Sequence, residues 1–254
     1  MQNELTQKIK SELWSKFSTK NFPSEWDGRN PDNKDYCGGK LSQRFWEYFK
    51  AIELLDLDQN SVVLDIGGGS PDTGSGAFAL LLSKYIKKII VMDPNLGEMK
   101  GSTDNIKLVK KNANREELKK LFSANPDITH IVSVSVFEHI EPSLRMEIVE
   151  AINDFKGNVF VVTLEYHPKK NFWNYQLTTK TVSELFKKLT TFYLSEFHSS
   201  PTLCEGAFVS HKDFHRYKFL PRAIRKVIDK FLYHEIPGWY PVILKFERSF
   251  ERKV

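Results

Sequence analysis

Apolar residues recur along the chain in spacings that predict both helices and strands. Near the start, Leu5, Ile9, Leu13 and Phe17 are four residues apart, which predicts a helix over about residues 1–20. A second apolar segment predicts a helix over about 41–55. From residue 61 onward, short β-branched runs predict strands separated by helical segments.

This alternation predicts an α/β fold with a parallel sheet. The first strand is expected to end at the glycines of SVVLDIGGGS, and later strands are expected to end near residues 93, 109, 136 and 164. Helices are expected over about 76–86, 114–123, 142–155 and 179–189, with further strands at 191–197 and 239–250. Nearly continuous apolar strands are typical of a sheet that helices cover on both faces.

Composition restricts the class of protein. The 254 residues are 41% hydrophobic and 27% charged, an ordinary globular balance with enough chain for a sizeable core. No stretch approaches the roughly 18 to 20 apolar residues of a membrane span, and the N-terminal segment lacks the apolar centre of a signal peptide. Cys37 and Cys204 lack metal-ligand spacing, so we expect reduced thiols and a cytoplasmic protein.

The net charge of +5 favours anionic partners, and much of the excess lies in the segment HKDFHRYKFLPRAIRKVIDK. A largely helical segment over about 211–233 has three interpretations. It could be a surface helix with a solvated basic face, a site for a phosphorylated or acidic acceptor, or a surface for nucleic acid or membrane.

Three glycines follow the first strand of the predicted sheet. Gly67–Gly69 allow a tight turn and a close approach of backbone to ligand, and we place the cleft where the first and second strands end. A P-loop is disfavoured because Ser75 stands where lysine is required. A dinucleotide-binding turn is disfavoured because Asp72 replaces its third glycine and sets a carboxylate against a pyrophosphate.

The strand end VVLDIGGGS, with its aspartate and glycines, resembles the DxGxG motif of class I, Rossmann-like S-adenosylmethionine-dependent methyltransferases, in their small-molecule branch of types 11 and 12. Asp93, in IIVMDPN, matches the family acid that hydrogen-bonds both ribose hydroxyls. Asn112 lies where the family often has an acid that pairs with the adenine amino group, and SVSVFEHIEP resembles the family's EH segment. The cofactor-binding residues that the resemblance implies are Asp65, Gly67, Gly68, Gly69, Asp93, Pro94, Asn112, Ala113, Ser135 and Glu138.

The resemblance covers about residues 60–195 and implies a doubly wound, mostly parallel seven-stranded sheet with an antiparallel last strand. We expect helices and a loop at 1–58 to cover the active site, and 59–254 to form the cofactor-binding domain with a basic helical insertion at about 200–237. Pro71 stands at the family's third glycine position and SPDTGSG is longer than the usual turn. We therefore expect the loop over the methionine end of the cofactor to be built differently.

Methyl transfer from a sulfonium is an in-line displacement that mainly requires acceptor, methyl and sulfur to be held collinear. A hydroxyl acceptor would gain from a general base, for which His139 and His167 are the candidates. Tyr36 and Arg44 are candidates for lining the acceptor site.

Glu138 and His139 have two further interpretations. They could cap the helix that begins after them, near Pro142. Some relatives bind a metal through ExxEH, but Ser135 stands at the position of the first acid, so no metal is expected.

The expected function is O-methylation of a small polar acceptor, with S-adenosylhomocysteine as product. The acceptor class is a sugar, nucleotide-linked or phosphorylated intermediate of surface-polymer or natural-product synthesis, such as polysaccharide biosynthesis, and an anionic acceptor fits the charge. The alternatives are a nucleic-acid methyltransferase, although the chain lacks the (D/N/S)PP(Y/F) tetrapeptide, and a methyltransferase-like binding module without catalysis. An NAD-dependent reductase is disfavoured by Asp72.

Overall fold

The structure is a computed structural model that describes residues 3–18, 43–69, 76–97, 104–166, 177–199, 204–205 and 238–249. The helices in these ranges are α1 (Glu4–Ser18), α2 (Gln43–Leu55), α3 (Ala77–Leu82), α4 (Arg115–Ala124), α5 (Pro142–Ile152) and α6 (Thr179–Phe186). The strands are β1 (Val62–Ile66), β2 (Lys88–Met92), β3 (Ile106–Val109), β4 (His130–Val134), β5 (Val159–Tyr166), β6 (Phe192–Ser199), β7 (Cys204–Glu205) and β8 (Gly238–Arg248). A short 3₁₀ turn, Phe137–His139, follows β4.

The sheet has the strand order β3-β2-β1-β4-β5-β8-β6, and the two-residue strand β7 pairs with β8. Strands β1 to β5 are parallel, whereas β8 runs antiparallel between β5 and β6. The predicted doubly wound, mostly parallel sheet with an antiparallel last strand is therefore confirmed. Within the expected insertion at 200–237, residues 204–205 form a strand and residues 206–237 lie outside the described ranges.

One topological expectation was wrong. We placed the cleft where the first and second strands end, but β1 pairs with β2 on one side and with β4 on the other. The direction of winding reverses between β1 and β4, and the crevice of a doubly wound sheet opens at this reversal. The ends of β1 and β4 therefore border the cleft, with β2 beside them.

Helices cover both faces of the sheet. Along β1, Val62 and Leu64 pack into a core cluster with α4, α5 and α6, while Val63 points to the other face. That second face packs against α1, α2 and α3. Because both faces are covered, the parallel strands are apolar at nearly every position, which is the pattern in the sequence.

The N-terminal helices are part of this second face. Helix α2 contacts β4, β5 and β8. It ends at Leu55, and the next residue, Asp56, adopts a left-handed φ of 48°. The Asn3 side chain donates to Asp56 Oδ1 and to the Leu57 carbonyl, each at 2.8 Å, and so joins the start of α1 to the end of α2. The division at residues 1–58 and 59–254 stays a prediction.

Among the helices in the described part of the chain, none combines the length and the apolar character that crossing a bilayer requires.

Candidate active site

The glycine turn after β1 passes directly against the chain that follows β4. Gly67 and Gly69 have φ values of +75° and +68°, which side chains rarely tolerate. The Gly67 amide donates to the Met92 carbonyl at 2.8 Å. A Cβ at Gly67 would lie 2.4 Å from Val136 Cγ1, so only glycine fits at this position.

Asp65 lies beneath the same turn. Asp65 is near the carboxyl end of β1, and the residue is only 2% exposed. A Cβ at Gly68 would lie 2.3 Å from Asp65 Oδ2, so the turn rests on this carboxyl group. The structure thus brings Asp65 together with Gly67–Gly69, and the Asp65 carboxyl group packs against the backbone of the turn.

Asp93 follows β2 and reaches the glycine turn. Its Oδ2 accepts from the Gly69 amide at 3.2 Å and its Oδ1 accepts from the Asn95 amide at 2.7 Å. A carboxylate has about four lone-pair positions, so both oxygens can accept further hydrogen bonds. The half-buried Asp93 carboxylate is therefore suited to binding a pair of neighbouring hydroxyls, and the exposed Pro94 follows it.

Asn112 and Ala113 lie beyond the end of β3. The Asp93 amide donates to the Val109 carbonyl at 3.2 Å, which holds the end of β3 beside Asp93. Asn112 is exposed on this edge, whereas Ala113 is buried in the core. The contact of Asn112 with an adenine stays a prediction.

Ser135 leaves β4 in a strained conformation. Its φ is +50°, an unusual value for a residue with a side chain. Its amide donates to Thr163 Oγ1 at 2.8 Å, and its hydroxyl donates to Glu47 Oε1 at 2.5 Å. Glu47 lies on α2 and is fully buried. These two bonds hold the chain in the conformation from which the 3₁₀ turn begins.

Two carboxyl groups and an imidazole converge at the ends of β4 and β5. Glu138 and His139 come from the 3₁₀ turn, and Glu165 comes from β5. Each offers one ligand atom, and these atoms lie within 4.8 Å of one another. Glu138 and Glu165 are buried while His139 is exposed. We call these three residues the acid–imidazole cluster.

The capping interpretation of Glu138 and His139 was wrong. Helix α5 begins at Pro142, and its N-cap residue is Glu141, which makes no side-chain capping bond. Glu138 and His139 instead belong to the separate 3₁₀ turn, whose last amide donates to the Val136 carbonyl at 2.9 Å.

The described part of the structure does not include the side chains of three candidate site residues. Tyr36 and His167 lie outside the described residues. Arg44 lies in the first turn of α2, and its side chain is outside the described part of the chain. Their expected roles stay predictions.

Glu47, Thr163 and Glu165 are not among the site residues predicted from the sequence. A signal for Glu47 was available, because it precedes Ala51 and Leu54 by four and seven residues and so lies on the buried face of α2. Glu165 is the second-last residue of an apolar strand, as Asp65 is. Thr163 carries no comparable signal.

A strongly shifted titratable group lies away from this site. Burial lowers the pKa of His130 from 6.5 to about 4, against the opposing effect of Asp58 and Asp56. His130 begins β4, at the opposite end from Ser135. Its pKa therefore reflects packing at the amino edge of the sheet.

A doubly wound sheet with a glycine turn after β1, an acid after β2 and a polar turn after β4 defines the fold of class I S-adenosylmethionine-dependent methyltransferases. Neither a family model nor a curated protein matches the sequence. The structure is similar to a SAM-dependent methyltransferase from Anabaena variabilis, with 13% identity, 94% of each chain covered and a TM-score of 0.54. It is also similar to a cyclopropane synthase from Mycobacterium tuberculosis, with 13% identity, 80% of this chain and 83% of that chain covered, and a TM-score of 0.51. The resemblance found in the sequence is confirmed at the level of the fold.

Proposed function

We propose that this chain is an S-adenosylmethionine-dependent methyltransferase that methylates a hydroxyl oxygen of a small polar acceptor. Fold alone does not decide function, so the site must carry the proposal. The observation that carries it is the Asp93 carboxylate, which the Gly69 amide holds beside a turn where glycine is sterically required.

The residues of the turn fit the cofactor chemically. Asp93 would accept hydrogen bonds from both ribose hydroxyls, and Gly67–Gly69 would approach the methionine end. Asp65 places a carboxyl group under the turn, which suits a cationic ligand better than a pyrophosphate. Once bound, S-adenosylmethionine supplies an electrophilic methyl group on a positively charged sulfur.

The acid–imidazole cluster would contact the acceptor. It lies at the carboxyl ends of β4 and β5, the edge of the sheet at which Asp93 follows β2. A hydroxyl loses its proton as it is methylated, and a group that assists this loss typically contributes roughly 10²- to 10⁴-fold in rate. His139, as the exposed member of the cluster, is our candidate for direct contact with the acceptor.

The charges of the described site favour a neutral acceptor atom. Glu47, Glu138 and Glu165 are all buried near the ends of β4 and β5. Buried carboxyl groups disfavour a further negative charge beside them unless a cation is also bound. We therefore propose a sugar or other alcohol hydroxyl as the methylated group, with any phosphate of the acceptor held elsewhere.

An assay of methyl transfer from tritium-labelled S-adenosylmethionine to sugars, nucleotide sugars and phosphosugars tests this function. We expect label in an acceptor with a free hydroxyl. His139→Ala should lower kcat by roughly 10²- to 10⁴-fold and leave cofactor affinity unchanged.

The matched control is His130→Asn, which alters an imidazole at the other end of β4. It should leave turnover unchanged. Cofactor binding without transfer to any hydroxyl acceptor would contradict the proposal and favour a binding module instead.

A further inference from the structure

We propose that the acid–imidazole cluster binds one divalent cation. The ligands would be one carboxylate oxygen each from Glu138 and Glu165 and one ring nitrogen of His139. The sequence argued against a metal because Ser135 replaces the first acid of ExxEH. In the folded chain, the neighbouring strand β5 brings a second acid, Glu165, to the same place.

The spacing of the three ligand atoms suits an ion. Ligands bonded at about 2.1 Å to one ion are at most about 4.2 Å apart. The atoms of the cluster already lie within 4.8 Å of one another. Side-chain rotations that shorten the longest of these separations would complete the site.

The two carboxyl groups of the cluster are buried. Glu138 is 1% exposed and Glu165 is 8% exposed, yet their carboxyl oxygens converge. Two carboxylates in a shared, poorly hydrated space repel each other unless a proton or a cation compensates them. A divalent cation offsets both charges and accepts the neutral imidazole as a third ligand.

The ligands are also held by rigid parts of the fold. Residue Ser135, which precedes the 3₁₀ turn, is fixed by its bonds to Glu47 and Thr163. Glu165 pairs with Pro241 in the antiparallel ladder between β5 and β8. Ligands that come from preorganised elements lose little freedom when an ion binds.

The donor set points to a class of ion. Two carboxylates and one imidazole suit Mn²⁺ and other first-row divalent ions, whereas Mg²⁺ and Ca²⁺ prefer oxygen ligands alone. Because His139 is exposed, coordination positions would face the acceptor side and remain open to an oxygen ligand.

The catalytic consequence rests on the proposed function, although cation binding itself does not. An acceptor hydroxyl in an open coordination position becomes more acidic and releases its proton to water. The new O–C bond then forms as the S–C bond breaks, and sulfur keeps the electron pair. In this arrangement His139 acts as a ligand and the cation performs the activation.

The test is a titration of the chelator-treated, full-length chain with Mn²⁺, followed by the electron paramagnetic resonance signal of the free ion. We expect one bound ion per chain. Glu165→Gln and His139→Ala should each weaken binding by at least about tenfold, as loss of a ligand does. The exposed His139 provides a variant whose folding is not at risk.

The control variant is Glu184→Gln on α6, which removes an exposed carboxylate 3.9 Å from Lys180. Its Mn²⁺ affinity should equal that of the unmodified chain. Absence of saturable binding at millimolar Mn²⁺, as expected if the two carboxyl groups share a proton, would overturn the proposal. So would equal affinities in all variants.

Titration of the same samples with S-adenosylhomocysteine separates the two proposals. Binding of the nucleoside without Mn²⁺ binding overturns the cation site and leaves the proposed function standing. Binding of Mn²⁺ without the nucleoside supports the cation site and counts against the function.

Discussion

At the scale of single residues, the sequence indicates some of the unusual backbone conformations at the carboxyl edge of the sheet but not others. Gly67 and Gly69 have positive φ, and their residue type already indicates such a turn. Ser135 also has positive φ, but a serine carries no signal for it. Its conformation depends on Glu47 and Thr163, which are distant in sequence.

Gly67→Ala tests the steric requirement of the turn. The new Cβ would stand 2.4 Å from Val136 at a φ of +75°. We expect roughly 1 to 3 kcal/mol of lost stability in urea unfolding, together with weaker binding of S-adenosylhomocysteine. Gly157→Ala is the control, because its Cβ would lie 2.5 Å from the Thr129 carbonyl, just before β5 begins. It should lose stability and keep its affinity, and equal affinities in both variants would refute the role of the turn.

Ser135→Ala and Ser133→Ala form a matched pair on one segment. Ser135 donates to a buried carboxyl oxygen at 2.5 Å, whereas Ser133 donates to the Ile66 carbonyl at 2.9 Å. Bonds to charged groups contribute about 1.5 to 3 kcal/mol and neutral ones about 1 kcal/mol. We expect urea unfolding to show the larger loss for Ser135→Ala. Equal losses would show that the bond to Glu47 is not charge-assisted.

At the scale of elements, local signals predicted most helices and strands. β1 was predicted because an apolar run ends at Gly67. α4 was predicted near its observed start, where Asn114 caps the helix by accepting from the Glu117 amide at 2.9 Å. The end of β4 was predicted two residues too late, at Val136 instead of Val134. The apolar pattern continues to Val136, but the bond between Ser135 and Glu47 of α2 turns the chain after Val134.

His130, where β4 begins beside the end of α2, should make the stability of the protein depend on pH. His130 has a pKa of about 4 in the folded chain because burial disfavours the charged ring, whereas the unfolded value is near 6.5. The unfolded chain therefore binds more protons between these values, and the free energy of unfolding falls as pH decreases through this window.

The full shift corresponds to about 3 kcal/mol, and partial exposure of the ring reduces our expectation to about 2 kcal/mol. Unfolding at pH values from 7 to 4 measures the effect. His130→Asn should remove this component and retain the part due to carboxyl groups. Identical pH profiles for the two proteins would contradict the assignment.

At the scale of the whole molecule, sequence predicted the class of fold but not the neighbours across the cleft. The alternation of elements shows that β1 and β2 are joined by α3, but it does not show that β4 pairs with the other edge of β1. The switch point was therefore misplaced. The same limit applies to the site, because Glu47 meets Ser135 across 88 residues of chain. Such contacts depend on the assembled sheet, which no local pattern encodes.

Calorimetric titration of the chain with S-adenosylhomocysteine tests most directly whether this cleft binds the methyl-donor cofactor. We expect saturable binding of one molecule per chain, loss of that binding in Asp93→Ala, and unchanged binding in Asp127→Ala. Asp127 is a suitable control because its carboxylate instead pairs with Lys87 at 3.2 Å. Absence of binding at millimolar nucleoside, or normal affinity in Asp93→Ala, would contradict this expectation.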